Sequence, residues 1–109
     1  MKNKREYIVG KEVFIYDVEN ETVTDKELKD VYIIVFLNKI QSFVEKNADP
    51  KLTITVFGSG CDKYGFAYDC AVKQGFMKVL YEAPEYSSRT KGILDCYDWI
   101  LAKELINKG

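Results

Sequence analysis

Histidine is absent from the 109 residues. That removes a Ser-His-Asp triad, a Cys-His dyad and any imidazole-ligated metal from the chemistry open to this chain. Cysteine is sparse and odd in number. Cys61, Cys70 and Cys96 lack CxxC spacing, so they read as reduced thiols of a cytoplasmic protein rather than a disulfide framework or a zinc site. Cys70 and Cys96 read as apolar filler, whereas Cys61 sits in a glycine loop. Two Pro and seven Gly are too few for a collagen-like or low-complexity chain. No run approaches the roughly 18 apolar residues of a membrane span, and no signal-peptide apolar core follows the basic opening of residues 1–6. Neither sign of charge dominates. Sixteen Lys and Arg against seventeen Asp and Glu leave −1, which removes the electrostatic footprint of bulk nucleic-acid or membrane binding.

What is present suits one compact domain spanning residues 1–109. The chain is 47% hydrophobic, 30% charged and 14% aromatic, and at this length a core can bury roughly two-thirds of the unfolded surface. Tyr7-Ile8-Val9 and Val13-Phe14-Ile15-Tyr16 are rich in strand formers, with Gly10 placed to turn a hairpin or to end a short strand. Thr24-Asp25-Lys26-Glu27 has the spacing of a capping box. It precedes Leu28, Val31, Ile34, Val35, Phe36, Leu37, Ile40, Phe43 and Val44, which repeat at three and four residues. The predicted helix stops near Asn47, ahead of Asp49-Pro50.

Leu52–Phe57 is the clearest strand, ended by Gly58-Ser59-Gly60. Phe66, Ala67, Cys70 and Ala71 predict a helix closed by Gly75, and Met77–Tyr81 a further strand before Ala83-Pro84. Ile93, Leu94, Tyr97, Ile100, Leu101 and Leu105 fit one helix over about 88–106. A shorter helix ending near Tyr97, followed by a strand over 99–102, fits equally. The alternation of strand and helix predicts an α/β layer fold with a mainly parallel sheet of three to four strands. Ligands of such folds bind beyond the carboxyl ends of the strands.

Two loops would lie there. Gly58-Ser59-Gly60-Cys61-Asp62 joins a predicted strand to a predicted helix, so its amides and the helix start suit a phosphate. A tight turn capped by Asp62 is the plainer reading. Asp17, Glu19 and Glu21 cluster with Asn20, which suits a divalent cation, a ribose hydroxyl or a solvated acidic turn. Arg89 has the fork geometry to grip a phosphate. Tyr81, Tyr86 and Tyr97 read as packing rather than base stacking.

The run Ile54–Gly60, followed by Ala67, Ala71 and Gly75, resembles the glycine-loop signature of the SLOG superfamily, in its small YpsA-related branch. Arg89-Thr90, then Ile93, Asp98 and Trp99-Ile100-Leu101-Ala102, is similar in spacing to a second motif of that family, whose usual Asn is Thr90 here. The resemblance implies a Rossmann-like three-layer fold that binds a nucleotide or nucleotide-derived ligand. Gly58, Ser59, Gly60, Cys61, Asp62 and Arg89 would hold phosphate, and Asp17 or Asn20 would read the ribose. The phosphoribohydrolase motif PGGxGTxxE is absent, so that activity is not implied.

Phe14–Asn20 also resembles the FIDxEN strand of NYN/PIN-type nucleases. Lys91-Gly92 followed by Asp95 is similar to a later acidic helix of that family, so the likeness implies Mg²⁺ at Asp17 and Asp95, although no SGDxDF strand is present; outside this nuclease reading no cofactor is expected. A third reading is a non-catalytic interaction or inhibitor protein encoded by a mobile element. Small α/β domains often pair, and eight Tyr with six Phe supply apolar contact surface, so a homo-oligomer is also expected.

Overall fold

Every strand pairing in the computed structural model is antiparallel. The structure describes residues 3–62 and 65–106, and of 59–62 and 65–66 the backbone alone. Two antiparallel sheets, of four and three strands, and two helices replace the predicted Rossmann-like parallel sheet among the described residues. The chain divides into two compact units, Met1–Phe43 and Val44–Gly109.

The first unit is a meander of β1 (Lys4–Val9), β2 (Glu12–Asp17), β3 (Thr22–Asp25) and β4 (Asp30–Val31). Alternation sends Tyr7, Val9, Phe14, Tyr16 and Val23 inward. Gly10 does turn a hairpin, with φ of 67° and the register Val9↔Glu12. A left-handed conformation at the first turn position is one that glycine adopts without strain.

The expected helix start at Thr24-Asp25 is corrected: both residues end β3. The Asp25 carboxylate accepts from the amides of Glu27 (2.8 Å) and Lys29 (2.9 Å) and so builds a turn instead. Helix α1 (Ile33–Asn47) begins only after β4. Its Phe36 is fully buried, with ring centroids 5.1 Å from Phe14, 5.9 Å from Tyr7 and 6.3 Å from Tyr16. Leu37 and Ile40 extend this core. The helix crosses from the first unit into the second and stops at Asn47, as Asp49-Pro50 predicts.

The second unit is the meander β5 (Thr53–Asp62), β6 (Gly65–Gln74) and β7 (Lys78–Glu82), with α2 (Arg89–Ala102) packed mainly on β6. The predicted helix around 66–75 is therefore a strand. Its residues Gly, Tyr, Asp, Cys and Val are weak helix formers, and pairing with β5 supplies the whole ladder from Thr53↔Lys73 to Asp62↔Gly65. Trp99–Ala102 is helical, which removes the alternative strand over 99–102. Ser88 caps α2, its hydroxyl accepting from the Lys91 amide at 3.3 Å.

Ile54, Val56, Cys70, Val72 and Tyr81 share the sheet face that meets α2, through the rungs Ile54↔Val72↔Tyr81 and Val56↔Cys70. Helix and sheet come closest at Gly92. A Cβ there would stand 2.5 Å from the Cys70 Sγ and 3.2 Å from its Cβ. Ile93, Cys96, Tyr97 and Ile100 fill the rest of this face and are all fully buried.

Gly92→Ala is expected to destabilise the protein. Overpacking of roughly 1–3 kcal/mol outweighs the helix-propensity gain of about 1 kcal/mol. In a Cys70→Ala background the same change is expected to cost less, because the sulfur is gone and only the tight approach to the residue 70 Cβ remains. Urea unfolding of the four proteins in the cycle measures this coupling; equal effects in both backgrounds would deny the contact.

Candidate functional site

The glycine segment does not form a strand-to-helix turn. Gly58, Ser59, Gly60, Cys61 and Asp62 are the second half of β5, opposite Asp69, Tyr68, Ala67, Phe66 and Gly65 in turn. No helix follows them, so the helix dipole invoked for a phosphate is missing. A bulge between Val56 and Gly58 leaves Phe57 without a rung partner and half-exposed. A Cβ at Gly58 would lie 2.6 Å from the Asp69 Oδ2, so a side chain there would oblige that carboxylate to move. The side chains of Ser59, Cys61 and Asp62 lie outside the described residues.

Asp17 ends β2, and its carboxylate is occupied by its own loop. Oδ1 accepts from the amides of Glu19 (3.1 Å) and Asn20 (3.0 Å), and Oδ2 from the Asn20 side-chain amide (3.1 Å). The Asn20 bonds hold the Asp17 carboxyl below its usual range, with Lys4, its strand partner, adding charge. The acidic loop is thus a turn built on an aspartate. Beside it, the Tyr16 hydroxyl is buried with no hydrogen-bond partner among the described residues, and burial pushes its pKa up to about 12.

Arg89 is the exposed first residue of α2. Asp95 sits six residues further along α2. Asp17 and Asn20 belong to the first unit, and Gly58, Arg89 and Asp95 to the second. No group of three or more Cys, Asp or Glu able to hold a metal ion occurs among the described residues.

The most developed polar arrangement is one that sequence reasoning treats as packing. The Tyr81 hydroxyl donates to the Asp95 Oδ1 at 2.8 Å, and the Tyr86 hydroxyl to the Oδ2 at 2.7 Å. Tyr81 also stacks on Trp99, with centroids 5.2 Å apart and planes 10° from parallel, and the Lys103 ammonium lies 5.9 Å from the Trp99 centroid. The Tyr86 carbonyl accepts from the Tyr68 amide at 2.9 Å. One carboxylate therefore joins β7, the loop after it and α2. The signal in the sequence is a lone acid, Asp95, between apolar pairs in a helical stretch.

This clamp is not arranged for nucleophilic chemistry. Hydrogen bonding to Asp95 raises both phenols, Tyr81 to about 12. The Cys70 and Cys96 thiols are equally quiet. Burial raises Cys70, and burial with Cys70 as neighbour raises Cys96 to about 12.

Compared with known proteins, the chain matches no protein family, no curated protein and no solved structure.

The clamp gives a signed pH dependence. Tyr81 and Tyr86 ionise later in the fold than in the open chain, so their stabilising effect is complete below the ordinary tyrosine value of 10.0. It is lost as pH rises from there, for Tyr81 toward about 12. Asp95→Asn is expected to bring both phenols back toward 10.0, visible as an earlier phenolate absorbance rise in an alkaline titration. An unchanged titration curve would show that Asp95 does not hold them.

Proposed function

We propose that this chain is a non-catalytic interaction protein, and that its first contact is with a second copy of itself. The observation that carries the reading is Leu28. It is two-thirds exposed and held at φ of 65°, a conformation that costs a branched-chain residue roughly 1–2 kcal/mol. Three bonds impose that geometry: the two to the Asp25 carboxylate and one from the Leu28 amide to the Asp25 carbonyl at 3.0 Å. Strain of this kind persists where the surroundings over-determine it, and it marks positions held for use.

The neighbours suit a protein contact. Tyr32 is 82% exposed, and Ile34 and Val35 in the first turn of α1 are also exposed. Lys26, Glu27, Lys29 and Asp30 surround Leu28 with two charges of each sign, all exposed. A rim balanced in this way is self-complementary, as a two-fold symmetric contact requires. An apolar centre within a polar rim is the ordinary anatomy of such an interface. The nucleotide reading has lost the helix start it relied on, and Asp17 is engaged by its own turn.

Leu28→Asn is the discriminating variant, because asparagine tolerates the left-handed region that leucine resists. It is expected to raise stability by about 1 kcal/mol or less while weakening self-association at least tenfold. Sedimentation velocity over a concentration series, with urea unfolding alongside, reads both. A wild-type protein that stays monomeric throughout, or a variant that associates as the wild type does, rejects the reading.

A further inference from the structure

We infer that the β6–β7 hairpin tip is a binding site for anionic lipid surfaces. The turn is Gly75-Phe76-Met77, opened by Gly75 at φ of 74°. Turn positions ordinarily carry glycine, asparagine, aspartate or serine. Here the two residues after the glycine are large and apolar, and each is 93% exposed. No other large apolar side chain among the described residues is exposed so fully. Val79, two residues beyond Met77, continues the apolar surface at 47% exposure.

The charges around the tip are of one sign. Residues 70–81 contain Lys73 and Lys78 and no acid, although the whole chain is nearly neutral. The register places the two lysines on opposite faces of the hairpin. Lys78 pairs with Gln74 in the last rung and Lys73 with Val79 in the rung before it. A convex tip with an aromatic and a thioether at its end, straddled by ammonium groups on flexible stems, matches the layering of an anionic bilayer surface. Phe76 and Met77 enter the acyl boundary, and Lys73 and Lys78 remain at the phosphates. A protein pocket would receive the apolar end, but it gives no reason for a lysine on each side of the hairpin.

The site is independent of the contact proposed around Leu28 and uses different residues. Its affinity is that of a weak, reversible anchor, on the order of the 10⁴ M⁻¹ of a single acyl chain. Flotation with mixed phosphatidylglycerol–phosphatidylcholine vesicles and with phosphatidylcholine vesicles alone tests it, using the full chain at low and at high salt. The wild type is expected to float with the anionic vesicles only, and less at high salt. Phe76→Ser/Met77→Ser is expected to lower the partition coefficient at least tenfold, and Lys73→Gln/Lys78→Gln roughly tenfold. Phe76→Trp is expected to be quenched by brominated phosphatidylglycerol beyond any quenching of the wild type through Trp99.

Failure of the wild type to float, equal flotation with both vesicle types, or full retention of flotation by the double serine variant would each overturn the assignment. So would double serine variants that change the sedimentation of the protein instead, because the tip would then be a contact between chains. Loss of self-association in Leu28→Asn with flotation intact separates this site from the other.

Discussion

The pairing of residues 53–62 with residues 65–74 is the constraint from which the second unit follows. It commits two successive ten-residue segments to one antiparallel ladder. Such a hairpin closes a short loop and gains its bonds locally, so the ordering cost is low. Once it forms, the segment after Gly58 cannot serve as the start of a helix. β7 then adds to β6 by another turn, and α2 has one sheet face on which to lie. Cys70 in the middle of β6 fixes how near it lies, because its sulfur occupies the space a side chain at Gly92 would need. Gly58 has the same role on the other strand, opposite the Asp69 carboxylate. Both glycines stand close against a neighbouring side chain.

The first unit is organised by carboxylates acting on the backbone. Asp17 closes the β2–β3 turn and Asp25 the β3–β4 turn, each by accepting two main-chain amides from the residues just after it. A short acidic side chain competes well for nearby amides. That is why Thr24-Asp25 ends a strand although its spacing suits a helix cap. It is also why the acidic run after β2 resembles a metal site in sequence while its best-placed carboxylate is satisfied within the turn. The aromatic cluster of Tyr7, Phe14, Tyr16 and Phe36 then gives the meander something to close upon.

Much of the element list was legible. The end of α1 at Asn47, the start of β5, and β7 announce themselves through turn residues or strand formers, while the Gly10 hairpin and the last helix were each one of two readings that the sequence left open. The segment at 65–74 did not, for a physical reason. Cys70, Ala71 and Val72 are all buried, so the strand lacks a clean alternation, while Ala67 and Ala71 fall at helical spacing. A strand buried on both faces and a helix of small residues look alike over ten positions, and only the partner strand decides between them. The parallel-sheet expectation fell with that element and with the antiparallel meander of the first unit, which forms a sheet of its own. The clamp at Asp95 was hidden because its two tyrosines come from separate segments that the antiparallel topology alone brings to one carboxylate.

The exposed apolar residues are distributed in a way that packing does not explain. Scattered single ones are ordinary on any surface. Leu28, however, sits at a backbone conformation that disfavours it, and Phe76 with Met77 occupies a turn where small polar residues would serve the hairpin as well. In each place the local hydrogen bonds or the glycine before the tip make the turn, and the large side chain adds nothing to it. The turns are made without these side chains. A net stability of about 5–15 kcal/mol for a domain leaves little room for strain without a return. We propose that the return comes from outside the chain, and the differing charge around the two turns, balanced at Leu28 and basic at Phe76-Met77, is the ground for proposing two different kinds of surface.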